Sequence, residues 1–500
     1  MSYQPVIWKA PFTNPPLVLQ TPDGNGGNAY GASPDGTTIF GICNPIGGAS
    51  SSNPQLACKW DTTTLAVTVL SNVDTTPYPN SWAIGCSVDK QIIIGGGFEN
   101  GQTVSPVASW TGGGTAGSLL PFRTGATYTV LAWSHQTMPY RRWSDDGSVI
   151  IVNDNAPPLG GANATNAFKY VNRVPIVLPP TTAPPLSGAS AQVFCMSADG
   201  NTVCGQDASG GSTPIAYACY WVGTTITRLP IPSGGTLAAV QYCSSDASVM
   251  WGQVAASSVP SGCFIWTGGS SVVGLPQLSN TQTGSNSFIY WAADDASAQT
   301  AVGVSPIGAS TSHAVKWVGS TVTDLGALGG AGVYSQAACC SHNGTVVCGN
   351  SLDASSNQWP VWWSADNVIH ALPLLNYETA FNYGDTLGVS RDGSVIFGYV
   401  DVPDVEPLPP PTVTLAMDDV SLVTIPTPGC QVFIDWSDDR GHVYGSPVGQ
   451  QMGNRGEYIA SLQWQRLGFA RDRVFRIFWS CPAKTVLMGC WLEADTSPKT

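Results

Sequence analysis

Residues 390–398 read Ser-Arg-Asp-Gly-Ser-Val-Ile-Phe-Gly, and this short stretch decides the fold. The Asp392-Gly393 pair predicts a tight hairpin turn, because glycine readily adopts the positive φ that such a turn requires. The β-branched and aromatic residues that follow predict a buried strand. The stretch is therefore typical of a turn that leads into the inner strand of a sheet.

The same pattern, Ser-x-Asp-Gly-x-x-Ile/Val-x-Gly, recurs along the chain, although some copies are degraded. Its copies begin at Ser33, Ser87, Ser144, Ser197, Ser244, Ala293, Ser341 and Ser390, at intervals of 47 to 57 residues. Near-equal spacing over so many copies indicates one structural unit that is repeated along the chain.

Each unit also contains a short strand that ends in an aromatic residue. These strands end at Trp60, Trp110, Tyr170, Trp221, Trp266, Trp317 and Trp363. A further apolar strand follows in several units, so each unit predicts three or four antiparallel strands. One unit cannot bury both faces of its sheet, and a closed ring of stacked units leaves no face exposed.

The fold class is therefore all-β, a β-propeller of seven or eight blades with a small C-terminal β module. Both blade numbers stay open, because the copy that begins at Ser390 either closes the ring with N-terminal strands or leads into the C-terminal segment. The units resemble the extracellular repeats of the HAF family. Gly388-Val-Ser-Arg-Asp-Gly393 and Ala314-Val-Lys-Trp317 carry this resemblance, which covers roughly residues 25–400 and is structural rather than functional.

The composition agrees with an all-β chain. The strong helix formers Glu and Lys number only 5 and 7 in 500 residues, while 43% of the residues are hydrophobic and 10% are charged. The net charge of −13 disfavours tight binding of nucleic acid. A surface with this charge would, however, let DNA slide past it without binding. The 14 cysteines show no metal-ligand spacing, so we expect buried free thiols.

The N-terminal sequence, Met1-Ser-Tyr-Gln-Pro-Val-Ile-Trp-Lys9, has no basic region followed by an apolar one. We therefore expect no signal peptide. No run of the sequence approaches the roughly 18 apolar residues of a membrane-spanning helix, so we expect no membrane anchor.

Catalytic chemistry is not indicated. No histidine lies in a metal-binding spacing, and we expect structural roles for His135, His313, His342, His370 and His442. The acidic pairs Asp145-Asp146, Asp294-Asp295 and Asp438-Asp439 fall at turns, so we expect solvated turn residues rather than the acid and base of a glycosidase. Nucleophile and phosphate-loop motifs are absent as well. The sequence thus predicts a protein that is not an enzyme and that has no cofactor and no metal.

The chain divides into four predicted segments. Residues 1–24 form an N-terminal arm, residues 25–402 form the propeller repeats, and the proline-rich residues 403–411 form a linker or loop. Residues 412–500 form the C-terminal β module, which either stands apart or closes the propeller.

The C-terminal segment differs from the repeats in its chemistry, since 7 of the 19 Lys and Arg residues lie in residues 451–500. It contains a hairpin motif, Ser437-Asp-Asp-Arg-Gly-His-Val-Tyr444. It also contains Trp464-Gln-Arg-Leu-Gly468, Arg471-Asp-Arg473, Val474-Phe-Arg-Ile477, Ser480-Cys-Pro482 and Gly489-Cys-Trp-Leu-Glu493. Over residues 430–494 this sequence resembles the packaged-DNA stabilisation proteins of short-tailed bacteriophages, which form the tail hub or nozzle.

That resemblance implies a virion structural protein. It implies a ring of about six copies docked below the portal on an adaptor, or head-to-tail connector, with tail fibre or needle proteins nearby. The ring would be part of the DNA conduit, in transient contact with viral DNA, and would help to retain the packaged genome. It implies synthesis in the host cytoplasm and a final location in the virion tail. The alternative is a carbohydrate- or receptor-binding propeller, a tail spike or adhesin.

The basic residues of this segment are the candidate site. They are Arg466, Arg471, Arg473 and Arg476. Arginine binds DNA phosphate and neighbouring carboxylates equally well. In a chain this acidic, we favour contact with a neighbouring subunit over contact with DNA.

Overall fold

A computed structural model describes most of the chain. The described residues are 2–22, 26–44, 54–71, 73, 80–98, 106–121, 129–130, 141–154, 166–181, 190–208, 215–230, 237–255, 259, 261–279, 287–308, 311–375, 384–402, 413–414, 424–425, 431–437, 448–451 and 473–480. The chain divides into two compact units, Met1–Asp404 and Val405–Thr500. The predicted linker, residues 403–411, lies outside the described residues. Among the residues just given, there is no helix long and apolar enough to cross a membrane.

The larger unit is a propeller of eight four-stranded antiparallel blades, and it confirms the predicted all-β fold. The strands of blades 1 to 4 are β3 Gly27–Ala32, β4 Thr38–Cys43, β5 Leu56–Asp61 and β6 Val67–Val69; β7 Asn80–Cys86, β8 Ile93–Phe98, β9 Val107–Thr111 and β10 Ala116–Leu119; β11 Thr129–Val130, β12 Val149–Asp154, β13 Asn166–Val171 and β14 Val174–Val177; β15 Ser190–Met196, β16 Thr202–Ala208, β17 Ala216–Val222 and β18 Thr225–Arg228.

The remaining blades follow the same order along the chain, except at the last one. The strands of blades 5 to 8 are β19 Leu237–Cys243, β20 Met250–Ala255, β21 Cys263–Trp266 and β22 Val273–Gly274; β23 Phe288–Ala292, β24 Thr300–Pro306, β25 Ser312–Val318 and β26 Thr321–Asp324; β27 Ser335–Cys340, β28 Val347–Leu352, β29 Gln358–Trp363 and β30 Ile369–Ala371; β31 Gly384–Val389 and β32 Val395–Val402 with β1 Ser2–Lys9 and β2 Leu17–Val18. Blade 8 thus combines both ends of the unit.

The ring closes where β1 pairs with β32. The antiparallel register runs from Ser2 opposite Val402 to Lys9 opposite Val395. The prediction of a separate N-terminal arm over residues 1–24 is therefore wrong for β1 and β2. The repeat copy at Ser390 forms the turn between β31 and β32 of an eighth blade, and the N-terminal strands β1 and β2 supply the two outer strands of this blade. Ring closure by the C-terminal module, the other expectation, is not what the structure shows.

The repeated turn is held by a small hydrogen-bond network, seen clearly at Ser197. The Ser197 hydroxyl donates to Asp199 at 2.5 Å and accepts from the backbone N–H of Thr202 at 3.0 Å. The Asp199 carboxylate also accepts from the backbone N–H of Asn201 at 3.0 Å. Gly200 adopts a φ of 72°, which explains why glycine is common at this position. The serine and the aspartate therefore hold this hairpin in a fixed shape.

The aromatic residue of the third strand links each blade to the one before it. Its N–H or O–H donates to a backbone carbonyl just after the outer strand of the preceding blade, at 2.5 to 2.9 Å. The pairs are Trp8 with Pro373, Trp60 with Gln20, Trp110 with Ser71, Tyr170 with Pro121, Trp221 with Pro179, Trp317 with Pro276 and Trp363 with Leu325. Blade 5 is different, because Trp266 is only half-buried and donates to Gly269 in its own hairpin.

The cysteines of the propeller are buried. Nine described cysteines are free thiols, as expected from the sequence: Cys43, Cys58, Cys86, Cys195, Cys204, Cys219, Cys243, Cys263 and Cys340. The expectation is wrong for Cys339 and Cys348, which form a disulfide between β27 and β28. They face each other directly in the strand register, which places their Cα atoms 5.5 Å apart.

The smaller unit contains short antiparallel sheets. Strands β33 Val413–Thr414 and β34 Thr424–Ile425 pair with each other. In a second sheet, β35 Gln431–Ser437 lies between β36 Val448–Gln451 and β37 Val474–Ser480. The predicted strand at residues 474–477 is thus present as part of β37.

Replacing Trp8 tests the ring closure. Trp8 is buried, so Trp8→Ala should lower the free energy of unfolding by about 3–5 kcal/mol, as for other buried tryptophans. Trp266→Ala, at the half-buried equivalent in blade 5, should cost clearly less. Chemical denaturation of the full chain measures both values. A Trp8→Ala protein as stable as the wild type would show that residues 2–9 form a loose arm.

Acid should weaken the repeated turns. Hydrogen bonds from the Ser197 hydroxyl and the Asn201 backbone N–H lower the pKa of Asp199. A carboxylate with a lowered pKa stabilises the fold above its ordinary pKa of about 3.9, and this contribution is lost as the pH falls through the lowered value. Asp199→Asn should be tolerated, because Asn343 occupies the same position in blade 7. Its stability deficit relative to the wild type should shrink on acidification; a deficit that is equal at neutral and acidic pH contradicts this account.

Candidate functional site

The residue between Ser and Asp of each repeated turn lies next to its counterpart in the neighbouring blade. Backbone hydrogen bonds of 2.7 to 3.1 Å join these turns around the ring. The donors and acceptors are Val88 to Asp145, Asp145 to Ala198, Ala198 to Ser245, Ser245 to Asp294, Asp295 to His342, His342 to Arg391 and Asp392 to Pro34. Pro34 has no N–H to donate towards blade 2. One end of the propeller axis is therefore encircled by linked turns.

Charged side chains from these turns meet across the axis. Arg391 of blade 8 contacts Asp145 of blade 3 at 3.3 Å and Asp294 of blade 6 at 2.9 Å. Arg141, which precedes the turn of blade 3, contacts Asp145 at 3.3 Å and also contacts Asp294. His342 of blade 7 contacts the other oxygen of Asp294 through Nδ1. Four blades are thus joined through a single carboxylate and its partners.

The axial cluster, defined as Arg141, Asp145, Asp294, His342 and Arg391, borders a cavity. Its volume is about 160 Å³. Aromatic residues contribute to its lining, among them Tyr30, Trp143 and Trp291. Because the ion pairs connect blades 3, 6 and 8, which are not neighbours and lie around the axis, the cluster bridges the axis at this end of the propeller.

The axial cluster corrects one expectation from the sequence. Asp145 and Asp294 are not simply solvated turn residues, since each pairs with two arginines and Asp294 is only 8% exposed. The expectation fits Asp146 and Asp295, whose carboxylates accept hydrogen bonds within their own turns. The sequence did contain a signal for the axial cluster, because several copies of the repeat carry a charged residue at the variable position between Ser and Asp. Asp438 and Asp439 lie outside the described residues.

The described histidines have partners within the chain. His313 contacts Asp324 at 2.9 Å, and the ring of His370 stacks on Trp362 with centroids 4.7 Å apart. His342 belongs to the axial cluster. These contacts agree with the structural roles that the sequence predicts for them. His135 and His442 lie outside the described part of the chain.

The predicted basic site is described only at β37. Arg476 makes a bidentate ion pair with Asp435, with Nε 3.1 Å from Oδ1 and Nη2 2.6 Å from Oδ2. Asp435 is 1% exposed, whereas the Arg476 side chain keeps 53% of its surface exposed. The pairing follows from the register, in which these two residues stand opposite each other. Arg476 is therefore oriented by its own sheet while one side of it faces outward.

Arg473 immediately precedes β37. Its guanidinium lies 5.4 Å from the ring centre of Trp436 and 6.0 Å from that of Phe475, within the range of a cation–π interaction. Arg466 and Arg471, the other two predicted site residues, lie outside the described residues. The structure thus brings two of the four arginines onto one sheet, and their predicted role in contacts with a subunit or DNA stays a prediction.

The architecture defines a β-propeller protein with a separate C-terminal β module. Residues 412–495 match the family model described as bacteriophage P22 Gp10, beta-sandwich. This match confirms the resemblance seen in the sequence of the C-terminal segment. The C-terminal segment is therefore similar to a domain of a bacteriophage protein. A search of curated protein sequences finds no match to the chain.

Several solved structures are similar to the propeller in fold. A prolyl endopeptidase is 10% identical with a TM-score of 0.49, over 76% of this chain and 55% of the other, so the chain spans about half of that protein. The β-propeller domain of the Trilobed protease from Pyrococcus furiosus is 9% identical with a TM-score of 0.42, over 71% and 99%. An oligogalacturonate lyase is 10% identical with a TM-score of 0.39, over 81% and 97%. Likenesses at this level carry no argument about activity.

Replacing Asp294 tests the axial cluster. Asp294→Asn removes the buried carboxylate that Arg141, Arg391 and His342 share. The two arginines then keep Asp145, which is more exposed, as their shared carboxylate. We expect the free energy of unfolding to fall by about 3 kcal/mol. Asp295→Asn, one residue further in the same turn, is the matched control and should cost less than about 1 kcal/mol. Equal effects of the two substitutions in chemical denaturation would contradict a special role for the cluster.

Proposed function

We propose that the chain is a tail hub or nozzle subunit of a short-tailed bacteriophage. It would form part of the DNA conduit below the portal and adaptor and would help to retain packaged DNA. The observation that carries this proposal is the match of residues 412–495 to the bacteriophage P22 Gp10 beta-sandwich model. The partners would be other copies of the chain in a ring of about six, the adaptor, and tail fibre or needle proteins, with viral DNA in transient contact.

The propeller would form part of the wall of the conduit and would not itself be the pore. Ion pairs between blades 3, 6 and 8 bridge its axis at one end, so DNA would pass between subunits of a ring and not through a propeller. The net charge of −13 gives a surface that repels phosphate on average, which would let DNA slide past. Such a protein would act without catalysis, and its location would be the virion tail.

The arginines would make contacts between subunits in preference to DNA. Arg476 is already held by Asp435 and Arg473 by aromatic rings, so both are oriented in advance for an acceptor on another molecule. A closed ring uses head-to-tail contacts, in which a basic surface of one copy meets an acidic surface of the next. The sequence adds Arg466 and Arg471 to this proposal, although both lie outside the described residues.

The alternative is a propeller that binds a carbohydrate or receptor, as in a tail spike or adhesin. The observation that favours it is the axial cavity, where aromatic side chains such as Trp143 and Trp291 lie beside charged groups. Aromatic rings provide the flat apolar surface on which sugars pack. A glycan array with the purified chain separates this alternative from the tail-hub proposal.

The mass of the native assembly and the protein content of purified virions test the proposal. We expect the chain in virions and a ring-shaped oligomer of the purified protein in electron micrographs, with no glycan bound. A stable monomer that is absent from virions would overturn the tail-hub role. A monomer that binds glycans and occurs in virions would support the spike alternative.

A separate variant tests whether the arginines make contacts between subunits or with DNA. Arg466→Ala combined with Arg471→Ala should shift the assembly towards monomers and leave the affinity for duplex DNA unchanged. Lys499→Ala, in the same basic segment, serves as the control. Arg476 is unsuitable for this test, because its loss would strand the buried Asp435 and destabilise the sheet. Loss of DNA binding with an intact ring would instead assign the arginines to DNA.

A further inference from the structure

Three thiols meet between blades 4 and 5. The sulfur atoms of Cys195, Cys204 and Cys243 all lie within 4.8 Å of one another, and all three residues are fully buried. Cys195 and Cys204 face each other on β15 and β16, and Cys243 comes from β19 of the next blade. The residues are 9 and 39 positions apart in sequence, so no short motif reveals them.

A fourth sulfur borders this group. The Met250 sulfur lies 3.9 Å from that of Cys204, and Met250 stands opposite Cys243 in the register of β19 and β20. Two cross-strand pairs from neighbouring blades thus place four soft donor atoms together. Thiolate and thioether sulfur are the ligands that select soft cations of the zinc and copper(I) type over magnesium or calcium.

The blade fold itself does not require sulfur at these positions. Cys195 lies two residues before the turn serine and Cys204 seven residues after it. The equivalent pairs in other blades are Gly31 with Phe40, Gly85 with Ile94, and Gly388 with Phe397. In blade 7 the equivalent pair is the disulfide between Cys339 and Cys348. Blade 4 thus has a cysteine pair where three other blades have glycine and an apolar residue, and where blade 5 has Tyr242 with Trp251. Among the described residues, only here does the neighbouring blade add a third thiol.

A buried positive charge lies near the thiols. Arg142 is 6% exposed, and its Nη1 donates to the carbonyl of Val193, two residues before Cys195. Its Nε has no hydrogen-bond partner among the described residues. Three thiolates and one divalent cation carry a net charge of −1, which this guanidinium would neutralise. A monovalent cation would leave a second negative charge buried, which is costly.

We propose that Cys195, Cys204 and Cys243 bind one soft divalent cation of the zinc class, with the Met250 thioether beside the fourth position. Zinc–sulfur bonds of about 2.3 Å require the sulfurs to draw together slightly, which rotation about the cysteine side chains allows. The three thiols release their protons to solvent as the thiolates coordinate the metal. The site is closed to solvent, so its role is structural.

The consequence would be a metal cross-link between two blades. Blades 4 and 5 are also joined by a parallel strand pair at Ala216 and Leu237, a link between blades that no other junction of the described strands shows. A metal would strengthen this junction, because it binds the folded ring and not the separated strands. The site is independent of the proposed tail function, so each can fail alone.

Cadmium is a suitable probe, since it binds thiolates as zinc does and gives a thiolate charge-transfer band and a ¹¹³Cd resonance. The full chain, produced with reduced thiols in the presence of Cd²⁺, should hold one Cd²⁺ per chain. Cys204→Ala should lower this value to near zero. Cys219→Ala and Cys263→Ala, buried cysteines of the same two blades outside the cluster, should retain it. Zn²⁺ should raise the unfolding midpoint of the wild type and both controls, but not of Cys204→Ala.

Three results would overturn the proposal. One is a reduced, folded wild type that binds no Cd²⁺, and another is a Cys204→Ala protein that still binds it. The third is a native disulfide between Cys195 and Cys204, which peptide mapping would reveal. Should Cys204→Ala fail to fold, the ¹¹³Cd shift of the wild type decides the question, because it reports the number of thiolate ligands. Fewer than three sulfur ligands would contradict the assignment.

Discussion

The antiparallel pairing of β1 with β32 is the constraint on which the rest of the structure depends. Each blade buries its faces only against its two neighbours, so an open ring would expose two sheet faces at once. Eight residue pairs between β1 and β32, from Ser2 with Val402 to Lys9 with Val395, close the ring and so avoid this exposure of two sheet faces. Trp8 then occupies the same place as Trp317 and the other third-strand tryptophans.

Closure by the N-terminal strand also bears on function. The propeller is complete within residues 2–402, and none of the described strands of the C-terminal unit pairs with it. The module that matches the bacteriophage P22 Gp10 beta-sandwich model is therefore not needed to finish the ring. Turn residues that meet across the axis, such as Arg391 and Asp294, bridge the propeller instead of leaving an open bore. Both features suit a subunit that lines a conduit together with other copies.

Local patterns in the sequence were sufficient to predict the blades. The Ser-x-Asp-Gly turn and the tryptophan strand act within one hairpin or between adjacent blades, so each copy displays them. Trp8 was missed because its blade is split between the chain ends, although Val6-Ile7-Trp8 matches the strand pattern of Phe264-Ile-Trp266. Asp294 was misjudged because its partners come from three other blades. The three thiols of Cys195, Cys204 and Cys243 likewise meet only after the ring has formed.

Native-state hydrogen exchange of the full chain tests the central claim, the closure of the ring by its N-terminal strand, most directly. Amides of β1, such as those of Val6, Ile7 and Trp8, should be protected to the same level as those of β32, because both strands open only when the ring opens. Rapid exchange of the β1 amides, at the rate of an unpaired chain and beside protected amides in the other blades, would contradict the account.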